Sequence, residues 1–539
     1  MSLLAISSTG LILSAVATLI LFIIYSHLAR QGPPHPLPPG PPGRFLIGNA
    51  GQLSIDQPEL DYIRWGKEYN SDVIYTNVLR QHMVCLNSIQ AATDLLDYRS
   101  ANYCDRPQFT LFEIMGWGLT LTFLRWGPQF KIHRRLFQNA FTQSNVKTLQ
   151  PMQLHEARKA VRALVKDPKD WEDITLLMAT SVIFRVACGQ EIIDKTSSYC
   201  TIAKAATDVT TNGGIAGSTL VDVFPLARFL PYWINPSAPL RHALASRPTI
   251  QTVHNVLWNA NLEDIEAGTA APSFMKTHLD KYRINEKTRQ LQDVTLADIK
   301  GAVAAIFIAG GNTTWATVLS CLLFLTRYPD AQKKVQTEID AFVTSQGRLP
   351  TFEDRERLQA LANFIMETMR CLPLNPLIIP HRSLRDDVYN GLFIPAGTTV
   401  FANTTAINSD PRTYRNPEMF DPDRYSTDRG SGKPEPYPSG NFGFGRRKCP
   451  GNHLALGSVW ISISFSPADF SGLSRRPDAF LATLLAVFEV RMVRDEEGNP
   501  KVPVPGISVG LGGHPNPFEC ELVVRNEDMA KLLIEEIKE

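Results

Sequence analysis

Phe442-Gly443-Phe444-Gly445-Arg446-Arg447-Lys448-Cys449-Pro450-Gly451 is the stretch whose reading decides the fold. Glycines at 443 and 445 permit a tight, non-helical loop. Pro450 suits the first turn of a helix, which the apolar pattern continues from Asn452 to Ile463. The spacing therefore puts Cys449 at a helix amino terminus beside Arg446, Arg447 and Lys448, and both features favour a thiolate. The other cysteines (Cys85, Cys104, Cys188, Cys200, Cys321, Cys371 and Cys520) are scattered, with no CxxC pair. They read as ordinary buried thiols, which argues against a zinc site or a disulfide scaffold and fits a reducing compartment.

A thiolate in such a loop can ligate a haem iron and push electron density toward it, favouring O–O cleavage. The pattern Phe-x-x-Gly-x-Arg-x-Cys-x-Gly, complete here at Phe442, Gly445, Arg447, Cys449 and Gly451, resembles the haem-ligand loop of the cytochrome P-450 superfamily. The resemblance implies a mainly α fold with small β-sheets, haem b held through its iron by Cys449, and a monooxygenase activity. Glu367-Thr368-Met369-Arg370 is similar to the family's Glu-x-x-Arg, whose charges share a helix face at i and i+3. Phe420-Asp421-Pro422-Asp423-Arg424 resembles its Phe-x-Pro-x-Arg. Glu367, Arg370 and Arg424 are thus expected to form one network, as structural supports and not as chemical actors.

Ala309-Gly310-Gly311-Asn312-Thr313-Thr314 resembles the family's oxygen-activation segment. The glycines are expected to leave room for dioxygen and substrate, and Thr313 to supply a hydroxyl. Asn312 stands where an acid is usual; an amide can hold a water but cannot exchange a proton as an acid does. The resemblance also implies cationic partners for the haem propionates: Arg447, His381 and Arg134. Phe130 replaces the family's tryptophan ahead of Arg134, so an indole donor is lost, and Lys131 is expected to compensate. Lys131, Arg135, Arg446 and Lys448 are expected to make a basic face that attracts an acidic electron donor. No GxGxxG-to-helix unit for flavin or nicotinamide is present, so electrons are expected from NADPH through a separate flavoprotein reductase.

Farther out, the chain has 539 residues, of which 44% are hydrophobic and 20% charged, so a mainly disordered chain is excluded. A formal charge of +1 excludes a bulk electrostatic grip on nucleic acid. Residues 1–29 carry no charged side chain and are long enough to cross the ~30 Å hydrocarbon core. They read as a single-pass anchor in the endoplasmic reticulum membrane, a cleaved signal peptide being the alternative. Arg30 and Arg44 then keep the bulk of the chain cytosolic. Residues 30–44 include seven prolines between Pro33 and Gly43, and read as a stiff spacer before a catalytic domain over 45–539.

Within that domain helical patterns dominate, as at Asp330–Phe342 and Leu358–Met369. Strand patterns occur at Val73–Val78, His82–Leu86, Leu392–Ile394 and Thr398–Ala402. Between Lys300 and Arg327 lie 26 uncharged residues. Gly310 to Thr314 at their centre favours a buried helix lining a pocket over a second membrane span. Pro329 ends it.

Tyr103-Cys104-Asp105-Arg106-Pro107, Leu220 to Pro225 with Leu230 to Trp233, and His514 to Cys520 resemble fungal microsomal members of specialised metabolism. Apolar walls expected at Phe109–Thr122, Ile306–Thr313 and Leu374–Ile379 imply an apolar small-molecule substrate, and the resemblance implies a terpenoid or other lipophilic scaffold, hydroxylated or epoxidised. Ser464–Phe480 departs from the family: 17 residues with four serines and two prolines interrupt an apolar helix that would otherwise join Ile463 to Leu481. A surface loop and an insertion, such as a retained intron, are both open readings. A haem-binding but inactive protein, and a haem-thiolate isomerase or peroxide user, are the alternative functions.

Overall fold

The structure, a computed structural model, describes residues 35–45, 47–193, 197–214, 219–229, 237–288, 293–426, 433–459, 480–508, 510 and 512–535, with Thr18 and Ile20. Apart from those two, the expected anchor over 1–29 lies outside the described residues, as do Leu230 to Trp233 and the interruption up to residue 479.

The architecture is mainly helical with small sheets. Strands β1 (Val73–Val78) and β2 (Gln81–Leu86) pair antiparallel, Val73 opposite Leu86. Downstream come β3 (His381–Arg382), the hairpin β4 (Asp387–Tyr389) and β5 (Leu392–Ile394), and β6 (Thr399–Ala402). The main sheet has the order β1-β2-β6-β3, with β2 and β6 parallel. This crossover brings His381, opposite Val400, to a fixed place beside the helical body. The last strands, β7 (Phe488–Met492) and β8 (Cys520–Val524), pair antiparallel.

The proline-rich segment is extended where it is described, as fixed φ angles require. It is not a free spacer. Pro36 O accepts from Phe393 N at 2.7 Å and Pro39 O from Tyr75 N at 2.9 Å. A Cβ at Gly40 would stand 1.9 Å from Tyr75 O, so only glycine lets the segment lie this close to β1.

The helices that position the site are α1 (Pro128–Ala140), α2 (Gln143–Lys166), α3 (Trp171–Cys188), α4 (Leu296–Arg327), α5 (Pro329–Gln346), α6 (Gln359–Cys371), α7 (Asn452–Val459) and α8 (Phe480–Val487). Helix α4 starts with a capping box: Thr295 Oγ1 accepts from Asp298 N at 3.2 Å, and Asp298 Oδ2 accepts from Thr295 N at 2.8 Å. Its length and hydropathy would suffice to cross a membrane, yet 67% of its most apolar window is buried inside the protein. It is the central core helix. Its second half packs with α3, α5, α6 and α8 in one apolar cluster, and its first half with the region from Phe109 to Phe141 in another. Every residue of α8 is buried, which explains its nearly unbroken apolar sequence.

Candidate active site

The cysteine loop is built by backbone bonds. Gly443 N donates to Gly440 O at 2.8 Å, Arg447 N to Phe444 O at 3.1 Å, and Cys449 N to Phe442 O at 2.8 Å. Gly440, Gly443 and Gly445 all have positive φ (86°, 70° and 50°). Gly445 is the tightest point, because a Cβ there would stand 2.1 Å from Leu96 O. Its N–H also donates to Asp97 Oδ1 at 2.5 Å, docking the loop on the helical turn Thr93–Tyr98.

Cys449, Pro450 and Gly451 line one wall of a cavity of about 300 Å³ beneath α4. Phe442 lines it as well. The electrostatics differ from the sequence expectation of three adjacent cations. Burial pushes the Cys449 thiol up, while the Gly451 backbone N–H and the Arg134 charge act the other way. Arg446 turns outward, its Cζ 5.4 Å from the Trp126 ring centroid. Arg134 reaches in from α1 and donates to Lys448 O at 2.5 Å.

A rim of basic groups closes the cavity: Arg106, Arg134, His381 and Arg447. Arg447 donates from Nε to Cys104 O at 2.6 Å and from Nη1 to Leu124 O at 2.9 Å. Its guanidinium carbon lies 3.7 Å from the Phe130 ring centroid, so phenylalanine fixes that arginine by a cation–π contact where the family pattern has an indole. Its Nη2 is buried with no partner. Burial pulls Arg447 down to about 10, Asp105 and Cys104 opposing, Arg134 and Arg125 adding. Arg106, which the sequence reading did not select as a cofactor residue, donates from Nη1 to Ile379 O at 2.6 Å and Pro380 O at 2.7 Å, and its Nε is a buried orphan. The only signal for it was its place in the Asp105-Arg106-Pro107 stretch. Burial, then the Arg447 charge, pulls it well below its ordinary value. Among the described residues no carboxylate lines the cavity. Buried, partnerless N–H donors on two arginines fit a bound group that carries carboxylates, as haem does.

Lys131 is not brought to the rim. On α1, residues 130 and 134 share the inward face and 131 and 135 the outward one, as a spacing of four on a helix requires. Lys131 is exposed, its Nζ 5.5 Å from the Trp126 ring centroid, and it does not line the cavity. Arg135 pairs with the exposed Asp293, so it does not add a free charge to that face.

On α4, Thr313 lines the cavity and its Oγ1 donates to Ala309 O at 2.7 Å. Asn312 does not line it. Its Nδ2 donates to Gly512 O at 2.9 Å, and its Oδ1 is buried without a partner. Of the two glycines, Gly310 lines the cavity and Gly311 does not. A Cβ at Gly310 would stand 2.6 Å from Ile183 Cδ1, and Gly311 faces Thr180, so they let α4 approach α3. Of the expected walls, Ile306–Thr313 and Leu374–Ile379 contribute several residues, and Phe109–Thr122 only Leu121 and Thr122. Phe137, Phe141 and Ile183 complete an apolar lining that sequence spacing alone did not reveal.

Behind the loop, Glu367, Arg370 and Arg424 meet in a buried network. Arg370 donates to Glu367 at 2.9 and 2.8 Å, Arg424 at 3.0 and 3.1 Å, and the Tyr425 hydroxyl at 2.8 Å. Asp421 N adds a further bond at 2.9 Å, and Arg424 Nη1 reaches Glu435 at 2.6 Å.

The sequence pattern described as Cytochrome P450 matches residues 38–460. A cytochrome P450 monooxygenase of Armillaria gallica is 31% identical over 528 residues, covering 97% of this chain and 99% of the relative. A tryptamine 4-monooxygenase of Psilocybe cyanescens is 31% identical over 530 residues, again covering 97% and 99%. Cytochrome P450 monooxygenase 208 of Postia placenta is 33% identical over 518 residues, covering 96% and 95%. The chain belongs to the cytochrome P450 family and is an oxidoreductase of the monooxygenase type, a class that holds haem iron, draws electrons from a redox partner and acts on a small molecule.

Proposed function

We propose that Cys449 would hold haem iron through its thiolate, and that the enzyme inserts one oxygen atom into an apolar small molecule of specialised metabolism, of terpenoid type. The observation that carries this reading is one cavity with the cysteine on one wall, carboxylate-free arginines on its rim and apolar side chains around the rest. Haem, when bound, supplies activation of dioxygen at its iron. A coordinated thiol loses its proton outright, which overrides the burial that raises the free thiol. Arg447, Arg106 and Arg134 would hold the carboxylates, with His381 beside them. Phe442 and Gly451 shape the space around the sulfur. Phe137, Phe141, Ile183 and Leu374 exclude water and receive the apolar substrate. Thr313 presents a hydroxyl that trades its bond to Ala309 O for one into the cavity, where it holds or passes a proton. Asn312 anchors the Gly512 turn against α4. Glu367, Arg370 and Arg424 keep the loop's floor rigid.

Residues 1–29 anchor the chain in the endoplasmic reticulum membrane, residues 30–44 dock it, and 45–539 form the cytosolic catalytic domain. An NADPH-dependent flavoprotein reductase is the electron donor. Its docking surface includes Lys131 and Arg446, which flank Trp126.

Expression with a reductase in a host fed candidate scaffolds, read by mass spectrometry, tests the reading. A gain of one oxygen that disappears in Cys449→Ala is the expected result. A correct carbon monoxide difference spectrum without turnover would favour an inactive haem protein, crippled by the interruption at 464–480. Turnover without reduced nicotinamide would favour the isomerase or peroxide user. Sequencing the messenger shows whether the full-abundance transcript contains that segment.

A further inference from the structure

We propose that Asn375 gives a side-chain N–H to an acceptor oxygen, a carbonyl or a hydroxyl, carried by an otherwise apolar substrate, and that Asn312 is the positioning residue for that donor; this rests on the haem reading of the cavity and narrows the substrate class within it. Gly512 fixes which end of the Asn375 amide is free. Its N–H donates to Asn375 Oδ1 at 3.3 Å, and an N–H cannot accept, so the oxygen end faces Gly512. Nδ2 makes no hydrogen bond among the described residues, and Asn375 lines the cavity. Most of the other uncharged polar side chains there are committed. Thr313, Thr317, Ser320 and Thr368 give their hydroxyl protons to the carbonyl four residues back. Asn441 gives Nδ2 to Met369 O at 3.2 Å.

The turn that orients Asn375 is itself held from α4. Asn312 Nδ2 donates to Gly512 O at 2.9 Å, so one glycine is gripped through its carbonyl by Asn312 and through its N–H by Asn375. Gly512 has a φ of +69°, and a Cβ there would stand 3.3 Å from Asn312 Nδ2. A Cβ at Gly513 would stand 3.5 Å from Leu374 O, so the turn packs on the segment that carries Asn375. The Asn375 carbonyl is held as well, accepting from Thr404 Oγ1 at 2.8 Å and from Ile378 N at 3.0 Å. Backbone and amide oxygen are therefore fixed, and the NH2 end is left to a ligand. The amide at 312, where the family pattern has an acid, gains a reason. A carboxylate would set its oxygens against Gly512 O, whereas an amide donates to it. Asn312 acts through Gly512 without lining the cavity itself. Once an apolar substrate displaces water, a donor left unused in the wall is costly; an acceptor oxygen removes that cost and fixes how the scaffold lies.

Iron-anchored probes test the donor in the full-length, haem-loaded chain. 1-Phenylimidazole and its 3-acetyl and 4-acetyl ring derivatives are titrated, with binding read from the shift of the Soret band. In the wild type at least one acetyl compound should bind about fivefold tighter than the parent, the worth of one neutral hydrogen bond. Its C=O stretch should move to lower frequency on binding. Asn375→Asp keeps an oxygen for the Gly512 N–H but has no N–H to give, so both the gain and the frequency shift should vanish. Asn312→Asp frees the turn while leaving Asn375 in the chain. It should reduce the gain, and it carries the test where Asn375→Asp does not fold. No gain from either acetyl group in the wild type, or a gain that survives Asn375→Asp, would overturn the donor. A gain untouched by Asn312→Asp would overturn the positioning role. A wild type whose Soret band does not respond to 1-phenylimidazole would sink the haem reading itself.

Discussion

Two clusters of buried charge lie on either side of the cysteine loop, and they are opposite in kind. Behind the loop, Glu367 accepts from Arg370, Arg424, Tyr425 and the Asp421 backbone, and Arg424 also reaches Glu435. Both of its cations are matched by carboxylates. In front of the loop, Arg106 and Arg447 keep buried donors with no partner and no lining acid. Removing two charges from water is tolerable only with good geometry and complete hydrogen bonding, and the first cluster meets that condition internally. The second can meet it only with a ligand. Saturated charge marks the scaffold, and unsaturated charge marks the site.

Glu367→Ala tests the contrast hardest, because it removes the carboxylate that two buried arginines share. A loss of about 4 kcal/mol is expected in denaturant unfolding. A loss under about 1 kcal/mol would erase the distinction between the clusters. Gly445→Ala comes next, at about 3 kcal/mol, since it combines an unfavourable φ with a clash against a backbone carbonyl that cannot yield. Thermal unfolding and haem content should fall together.

Gly310→Ala should cost about 2 kcal/mol, less because its obstacle is the end of the Ile183 side chain. Adding Ile183→Val should recover about half of that, a coupling that a double-mutant cycle reads directly. The smallest effect sharpens the comparison from the other side. Arg106→Met in the haem-free protein should change unfolding free energy by less than about 1 kcal/mol. Relief of repulsion from Arg447 offsets the lost bonds to Ile379 O and Pro380 O. A cost near that of Glu367→Ala would mean the rim is closed scaffold too.

Legibility followed locality. The cysteine loop, the helix 359–371 and the strands 73–78 and 392–394 could be read because turn glycines, helical faces and alternation act within a few residues. Long-range consequences were harder to read. The motif around Asn312 pointed to the cavity, but a helix turns about 100° per residue, and packing chose the Thr313 face. Gly310 looked like space for a ligand and does line the cavity, but it also makes room for Ile183, distant in sequence. Lys131 looked like a substitute for the missing indole, but its rotation on α1 carries it to solvent. Arg106 carried no motif because its role depends on which carbonyls consume its other donors.

By itself the sequence determined the family, the loop that presents Cys449, the buried character of the long uncharged helix and the identity of the Glu367, Arg370 and Arg424 partners. Each follows from residue types at fixed short spacing, where backbone geometry leaves little choice. Only the tertiary structure decided which hydrogen bonds are already satisfied and which remain open. That accounting depends on carbonyls and side chains hundreds of residues apart, such as Ile379 for Arg106 and Gly512 for Asn312. A polar group's function depends on what its surroundings leave unfulfilled, and those surroundings exist only once the chain has folded.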